Sequence, residues 1–300
     1  MVLPQSKAAP CCAGGSAVPA LITGDELRVF SVGVSYGNVM GDAPPAGGGW
    51  PTFRDDLSPS ESKQTLAISY AQLLDHDRLQ AGITVPVVVN HLVTATQSNS
   101  STQLGDFSVT LGYETMPEWD YSEWKPRVFN FIQLVLPTGQ SIYQSSDSYS
   151  TDVGGLGFWQ LHLGGIALKK WNAWDASIVA NIGYYFGQSF TSSSTGEVTN
   201  VGSTWSLVGS VSGGYSFAEL WRVGMSIEPQ YLFPQSVSSD GALPSTSPKM
   251  LWNTTFACSV LIGQDSSLAL TYVDQTLLGP AINTTLSRTL GLSYQLRWER

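Results

Sequence analysis

Charged residues are scarce in this sequence, and their scarcity excludes several classes of protein. Asp, Glu, Lys and Arg make up 12% of its 300 residues, against roughly 25% in soluble domains. The net charge of -9 argues against a nucleic-acid binder, because such proteins need clustered Lys and Arg. No run approaches the roughly 18 to 20 apolar residues of a transmembrane helix. A helical membrane protein is therefore excluded as well.

Cysteine is equally rare, since the chain contains only Cys11, Cys12 and Cys258. Three cysteines cannot build a disulfide framework. Cys11 and Cys12 have three interpretations: a lipid anchor with a poor lead-in, a soft-metal pair, or part of a flexible leader. Two thiolates fall short of the usual four ligands, so this pair is a weak metal candidate, and no cofactor is expected. Cys258 is interpreted as a small apolar residue.

What the sequence does have is alternation between apolar and polar residues. In the run Thr289–Trp298, every second side chain is apolar and those between are polar or glycine. Side chains of a strand alternate between its two faces, so this run has one apolar face and one polar face. The pattern recurs along almost the whole chain. It predicts an all-β fold, a transmembrane antiparallel up-and-down β-barrel with lipid outside and a polar lumen inside. The alternative, a secreted β-sandwich, would carry more charge on its outer face.

Twelve strands are predicted, and two of them are irregular. They cover about 27–37, 64–74, 78–89, 105–114, 127–137, 157–169, 175–187, 204–216, 221–232, 250–262, 267–275 and 289–298 by their period of two. In the fifth strand both faces are apolar, which leaves its orientation open. The sixth strand changes phase at Gly164 and Gly165, which suggests a bulge.

The connections between these strands alternate in length, apart from the longer turn at 115–126. Bacterial outer-membrane barrels have short periplasmic turns and longer external loops. The pattern therefore predicts a bacterial outer-membrane location with both termini in the periplasm. Residues 26–300 are predicted to form the barrel. Residues 1–25 are interrupted by Pro and Gly, and they are predicted to be a flexible periplasmic leader or a plug of the lumen. They contain no signal-peptide pattern, so a signal is expected to have been removed or to lie upstream.

Polar residues in the inward phase are the candidate lumen lining. They are Asp106, Thr110, Glu114, Arg222, Glu228, Gln230 and Arg297. Their charges could form a constriction that filters solutes, or a structural ion-pair network that fills a narrow barrel. Aromatic residues near strand ends are the candidate membrane-interface anchors. They are Trp119, Trp124, Trp171, Trp221 and Trp298.

Four short pieces of the sequence resemble a known family. Leu79–Pro86, Gly105–Tyr113, Leu136–Gly139 and Asn181–Tyr184 are similar to the outer-membrane barrel family named for the meta-pathway of phenol degradation. The similarity spans roughly residues 60–298, and it implies a Gram-negative outer-membrane barrel that takes up hydrophobic or aromatic compounds. The chain departs from most barrels at its end, where two charged residues follow the final aromatic that the barrel-assembly machinery reads. The cysteine-containing leader is not carried over from this family.

Catalysis is not expected, because the histidines do not fit one site. His76, His91 and His162 fall in a turn, at a strand end and within a strand, and no neighbouring Ser or Asp completes a nucleophilic triad. The leading hypothesis is a porin-like channel for passive uptake of small, hydrophobic or aromatic solutes. The alternative is a non-transporting docking barrel that binds a protein through its loops or residues 1–25. Expected partners are membrane lipid with lipopolysaccharide, the barrel-assembly machinery and a small-molecule solute, but not nucleic acid.

Overall fold

The computed structural model describes residues 19–55, 59–74, 78–117, 122–147, 149–193, 195–218, 220–239 and 246–299. Within them, twelve antiparallel strands form a closed barrel, which confirms the predicted fold. The barrel strands are β1 (Glu26–Ala43), β3 (Ser60–Leu73), β4 (Leu79–Val93), β6 (Phe107–Met116), β7 (Arg127–Leu136), β8 (Gln160–Trp171), β9 (Trp174–Tyr185), β12 (Thr204–Phe217), β13 (Trp221–Leu232), β15 (Lys249–Ile262), β16 (Ser266–Asp274) and β17 (Thr284–Glu299). No helix among these residues has the length and apolarity to cross a membrane.

The barrel closes because its first and last strands pair. β1 pairs antiparallel with β17 along its full length, from Glu26 with Glu299 to Ala43 with Thr284. Each of the other barrel strands pairs with the barrel strands before and after it in the sequence. This is the up-and-down connectivity that the alternation of long and short connections predicts.

The two ends of the barrel differ. One end, here the turn end, carries residues 26 and 299 and short connections such as 172–173. The opposite end, here the loop end, has longer connections that contain five strands outside the sequence prediction. They are β2 (Thr52–Phe53), β5 (Ser98–Leu104), β10 (Gln188–Thr191), β11 (Val198–Val201) and β14 (Val237–Ser239). β10, β11 and β14 form a small sheet of their own.

Apolar side chains cover the outside of the barrel. On β17, Leu290 and Leu292 are 53% and 49% exposed, whereas Gly291 between them is buried. Each of the twelve barrel strands carries at least one large apolar side chain that is exposed in the same way. A water-soluble barrel would have polar residues at these positions, since contiguous apolar surface mediates contact with lipid or protein.

The predicted bulge at Gly164 and Gly165 is wrong. β8 pairs with β7 and with β9 without a register shift at these glycines. The apolar residues change face there because Ile166 and Leu168 point into the barrel, where both are buried. The change of phase therefore reflects an apolar stretch of the lumen rather than an irregular backbone.

The same apolar stretch settles the orientation of β7. Phe129 and Phe131 face inwards and are 2% and 3% exposed, whereas Ile132 faces outwards and is 50% exposed. The inward residues form one cluster, here the lumen cluster, which consists of Phe129, Phe131, Ile166, Leu168 and Val179, with Leu21 and Val208 packed against it. Both faces of β7 are apolar because one contacts the outside and the other fills the lumen.

A second apolar cluster covers part of the lumen at the loop end. The β10–β11–β14 sheet and the connection between β7 and β8 bring these side chains together. Phe158 and Phe190 meet edge to face with ring centroids 5.0 Å apart. The cluster, here the loop-end cap, consists of Phe158, Phe190 and Val201, packed against Tyr143, Tyr185 and Val237.

Candidate functional site

Residues 19–25, here the N-terminal segment, lie inside the barrel near the turn end. Gln80, at the start of β4, binds the backbone of Ile22 with both atoms of its amide. The Ile22 N–H donates to Gln80 Oε1 at 2.5 Å, and Gln80 Nε2 donates to the Ile22 carbonyl oxygen at 3.0 Å. Ile22 and Gln80 are 2% and 0% exposed. One side-chain amide thus supplies the paired donor and acceptor that a neighbouring strand would offer.

Two glycines of the wall make room for the N-terminal segment. A Cβ atom at Gly82 of β4 would overlap the carbonyl oxygen of Ala20. A Cβ atom at Gly112 of β6 would overlap the side chain of Leu21. At these two positions the wall therefore has no side chain between it and the segment. We call Gln80, Gly82 and Gly112 together the segment seat.

Arg127 binds the N-terminal segment to the wall with hydrogen bonds and an ion pair. Its Nη1 donates to the Thr23 carbonyl oxygen at 3.1 Å and to Asp25 Oδ1 at 3.2 Å. Its Nε donates to Glu114 Oε1 at 2.5 Å. Both Arg127 and Glu114 are buried. A buried ion pair contributes little net stability unless further hydrogen bonds complete it, and the carbonyl oxygen of the segment is one of those bonds.

The N-terminal segment divides the lumen into a filled side and an open side. On the filled side, Leu21 packs against the lumen cluster. On the open side lies a cavity of about 550 Å³, bordered by Pro19, Ala20 and Leu21 and mainly by the inner faces of β16, β17, β1 and β3. Its lining also includes Thr84, Ser108, Gln133 and Ser259. Every side chain that the structure places around this lumen cavity is uncharged, and hydroxyl, methyl and hydrogen side chains predominate. Its volume falls in the range of about 300–1,000 Å³ that small-molecule sites occupy.

Three of the predicted lumen residues take part in buried ion pairs near the turn end. Glu114 pairs with Arg127, as described above. Arg222 Nε and Nη2 donate to the two carboxylate oxygens of Asp175 at 2.7 and 2.6 Å. Arg297 Nη2 donates to Ser267 Oγ at 2.7 Å, and its Nη1 lies 3.8 Å from a carboxylate oxygen of Glu26. These charges lie on lumen-facing strands, and each has a partner on another element.

Glu228 and Gln230 belong to a chain of hydrogen bonds on the inner wall nearer the loop end. Gln230 Nε2 and Asn253 Nδ2 both donate to Glu228 Oε1, at 2.6 and 2.9 Å. Gln275 Nε2 donates to Asn253 Oδ1 at 3.0 Å. Glu228 is 1% exposed. The chain links β13, β15 and the residues beyond β16, so it ties neighbouring strands together.

The other two predicted lumen residues have different surroundings. Asp106 accepts the backbone N–H groups of Gly139, Leu156 and Gly157 at 2.9, 2.7 and 3.1 Å. It therefore holds the connection between β7 and β8 against β6. Thr110 is 1% exposed on the inner face of β6, and no group in the described part of the chain bonds its hydroxyl. Whether the seven residues filter solutes stays a prediction.

Four of the predicted interface tryptophans lie at the turn end, and Trp119 lies outside the described residues. Trp124 is 80% exposed and meets the ring of Trp171 edge to face. Trp171 Nε1 also donates to the carbonyl oxygen of Glu123 at 2.7 Å. Trp221 and Trp298 are 43% and 42% exposed. These rings form an exposed aromatic row around the turn end.

The two described histidines, His91 and His162, lie on different strands, β4 and β8. His162 is buried in the wall, where Nε2 lies 3.0 Å from Gln160 Oε1, and His91 lies on β4 opposite Ser62. His76, Cys11 and Cys12 lie outside the described residues. Among those that are described, no group of three or more His, Cys, Asp or Glu side chains is placed to hold a metal ion.

Two aspartates organise the connection between β7 and β8 at the loop end. Asp147 accepts hydrogen bonds from the side chain and backbone of Thr151 and from the backbone of Tyr149, and the side-chain bond from Thr151 contributes most to a lowered pKa. Burial raises the pKa of Asp152, but hydrogen bonds from Ser145 and Ser146 outweigh it and leave a lowered pKa. Both carboxylates are therefore held in their charged form.

The residues that shape the lumen cavity and the segment seat were missed in the sequence. Gln80 and Arg127 are not among the predicted lumen residues, because neither differs in type from an ordinary polar strand residue. Small residues such as Gly33 and Ala67 are also absent from the predicted lumen lining, because they carry no polar group. Inward Ser, Thr, Ala and Gly are frequent on the first two and last two barrel strands, but they are as frequent on β12, so the sequence alone does not single out the strands of the cavity.

Comparisons with known proteins identify the fold of the chain but no family. No family model matches the sequence, and no curated protein matches it. Among solved structures, an outer membrane channel from Pseudomonas putida F1 is similar, with a TM-score of 0.67 and 12% identity over 96% of this chain and 100% of that chain. The transport unit of the autotransporter AIDA-I from Escherichia coli has a TM-score of 0.51 and 6% identity, covering 94% of each chain. At such low identity, the similarity establishes a shared closed-barrel architecture.

Proposed function

We propose that this protein is a bacterial outer-membrane channel for the passive uptake of small uncharged solutes, including hydrophobic or aromatic ones. The observation that carries the proposal is the lumen cavity of about 550 Å³, lined by uncharged side chains inside a barrel with an apolar exterior. The channel from Pseudomonas putida, with the same architecture along its whole length, favours the same general role.

The exterior supports a membrane location. On β17 the outward apolar residues run from Leu290 to Trp298. Eight residues at about 3.3 Å each span about 26 Å along the strand, or about 20 Å along the axis for a tilt of about 40°. An outer-membrane barrel carries an apolar band about 25 Å tall, flanked by aromatic girdles. Tryptophans at the turn end match the expected position of one girdle.

This location implies an orientation and a set of partners. Short turns face the periplasm in bacterial barrels, so both ends of the barrel sequence and the mouth beside the N-terminal segment would be periplasmic. The apolar band would contact lipid and, in the outer leaflet, lipopolysaccharide. Insertion would require the barrel-assembly machinery. Residues 1–25 would be available to a periplasmic protein wherever they leave the lumen.

Solute flux into liposomes tests the proposal. Full-length protein is reconstituted, and the entry of glycerol, a neutral pentose and a monovalent sugar acid is compared with that into empty liposomes. A variant that lacks residues 1–25 is measured in parallel. We expect glycerol and the pentose to enter faster than the acid, because the cavity lining is uncharged. Absence of flux for every solute in both proteins would refute the channel function.

A docking barrel is the second candidate, and one observation favours it. The N-terminal segment and the lumen cluster together fill one side of the lumen, and Gln80 and Arg127 fix the segment in place. A filled lumen suits a protein that holds a partner rather than a solute path. Purification from native membranes distinguishes the two, since this candidate requires a stoichiometric protein partner together with zero conductance.

A further inference from the structure

The open side of the lumen has an ordered surface made by four adjacent strands. Strands β3, β1, β17 and β16 pair without interruption there, so their inward residues fall into rows across the strands. The middle row has the smallest side chains. It consists of Ala67, Gly33, Ser293 and Ala269, in register across the four strands.

Polar rows flank this middle row on both sides. The row toward the turn end consists of Ser69, Ser31, Gln295 and Ser267, and the row toward the loop end consists of Thr65, Ser35, Gly291 and Thr271. All twelve residues line the lumen cavity. The result is a shallow groove with a nearly apolar floor and polar groups along both edges. In the row toward the turn end, Ser69 bonds Thr84, and Gln295 and Ser267 accept from Arg297. Four strands about 4.8 Å apart make the floor about 14 Å long.

Ser259 supplies an independent indication that the groove binds a ligand. It lies on β15 in register with Ala269, so it extends the middle row by one strand. Ser259 is 6% exposed and lines the cavity. Its hydroxyl has no hydrogen-bond partner in the described part of the chain. A buried hydroxyl without a partner costs free energy, and a polar group in the cavity would remove that cost.

The spacing of the rows defines the ligand. The two polar rows are four residues apart, which corresponds to about 13 Å along a strand. A hydrogen bond of about 2.8 Å at each edge leaves about 7 Å between the polar groups of a bound solute. The floor between them offers the backbone of Gly33 and the methyl group of Ala67, and it carries no charge. Two hydroxymethyl groups at opposite positions of one six-membered ring match this spacing.

We propose that the groove is a binding subsite for a neutral solute with a flat apolar body about one ring wide and a hydroxyl group at each end. The proposal rests on the proposed channel function and adds to it the solute class and the residues that select it. Gly33 sets the depth of the groove. The nearest atom to a Cβ built at this position is Ser293 Cβ at 3.6 Å, so a side chain fits sterically and would extend into the groove.

The probe is 1,4-benzenedimethanol, compared with benzyl alcohol, terephthalate and glycerol. Binding to the detergent-solubilised full chain is measured by equilibrium dialysis, and flux is measured in liposomes with subtraction of the rate in empty ones. We expect saturable binding of the diol, weaker binding of benzyl alcohol by about fivefold for one lost hydrogen bond, and no binding of the dianion. Equal binding of all three aromatic probes, or binding of none, would overturn the proposal.

Two variants and a matched control identify the site. Gly33→Leu fills the groove and is expected to weaken diol binding about tenfold or more, as steric exclusion from a fitted pocket does. Ser31→Ala with Ser35→Ala removes one hydroxyl from each edge and is expected to weaken it at least fivefold. Val32→Leu adds bulk to the outer face of the same strand and should leave binding unchanged. Unchanged binding in Gly33→Leu and in the double variant would overturn the site assignment.

Glycerol flux separates this inference from the channel function. If glycerol enters but the diol shows no saturable binding, the channel function stands and the subsite is wrong. If no solute enters but the diol binds and Gly33→Leu abolishes binding, the subsite stands and the channel function is wrong.

Discussion

The segment seat predicts that a single methyl group can release the N-terminal segment from the lumen. In Gly82→Ala the new Cβ overlaps the carbonyl oxygen of Ala20, and Gly82→Val adds two further methyl groups at the same place. Both variants should shift the segment toward a displaced state. The matched control is Gly33→Ala, which adds the same methyl to the inner wall with 3.6 Å to the nearest atom.

The free energies that favour and oppose seating of the N-terminal segment are expected to be nearly equal, so a small perturbation suffices to displace it. Burial of Ile22 contributes about 2 kcal/mol, and partial burial of Leu21 about 1 kcal/mol. The two hydrogen bonds of Gln80 and the bond from Arg127 to the Thr23 carbonyl contribute about 4 kcal/mol together. Ordering the backbone of the five residues 19–23, which make these contacts, costs about 5–10 kcal/mol. An overpacking cost of about 1–3 kcal/mol would then lower the ratio of seated to displaced protein by about 5-fold to 150-fold.

Thermolysin cleavage before Leu21 measures the displaced fraction without any need for conductance. Cleavage is followed by mass spectrometry on folded protein in detergent. We expect it to be fastest in Gly82→Val, intermediate in Gly82→Ala and equally slow in wild type and Gly33→Ala. Liposome flux of a neutral pentose should rise from the wild type through Gly82→Ala to Gly82→Val. If folded Gly82→Val resists cleavage as well as the wild type, the reasoning about the seat is wrong.

Three further predictions follow from other parts of the barrel. Asp175→Leu leaves Arg222 buried without its carboxylate and should lower the free energy of unfolding by about 3–5 kcal/mol; urea titration in lipid vesicles measures this, and the double variant with Arg222→Leu should recover most of the loss. Leu292→Arg puts a charge on the outer face and should cost about 2–4 kcal/mol in vesicles, whereas Leu292→Met should cost less than about 1.5 kcal/mol. Because the pKa of Asp147 and of Asp152 is lowered, both carboxylates stabilise the loop-end connection at pH values above their unfolded pKa of about 3.9. This contribution is lost as pH falls through the lower folded pKa. Pepsin cleavage within 138–157, normalised to a peptide of that sequence, should therefore be faster at pH 2 than at pH 4, and the difference should disappear when both residues are Asn.

The strands could be predicted from the sequence because the outside of this barrel is uniformly apolar. Every outward position on β17 from Leu290 to Trp298 is apolar, so the period of two is complete there. The prediction became ambiguous on β7 because the lumen is apolar around Phe129. The first predicted strand ends at about residue 37, whereas β1 continues to Ala43. Beyond the apolar band, both faces of this strand can be polar, and the alternation that marks a strand disappears.

The site could not be predicted in the same way, because it depends on contacts between distant residues. Gln80 meets Ile22 across 58 residues of sequence, and a glutamine at the start of a strand carries no local sign of such a partner. The groove likewise exists only because Gly33, Ala67 and Ala269 are brought into one row by the register of four strands. The predicted lumen charges near the turn end, Glu114, Arg222 and Arg297, are paired, and the open space lies beside neutral residues instead.

The seam between β1 and β17 determines when during its biogenesis the chain can become a barrel. Its two strands are at opposite ends of the described chain, so they can pair only after the last strand has been synthesised. Until then the strands at the two edges of the incomplete sheet expose rows of unpaired backbone groups, which are templates for association with other chains. A chain that ends before residue 284 would keep those two open edges instead of closing into a smaller barrel. Chaperoning of the unclosed sheet is therefore a requirement that this connectivity imposes, independent of what the finished barrel carries.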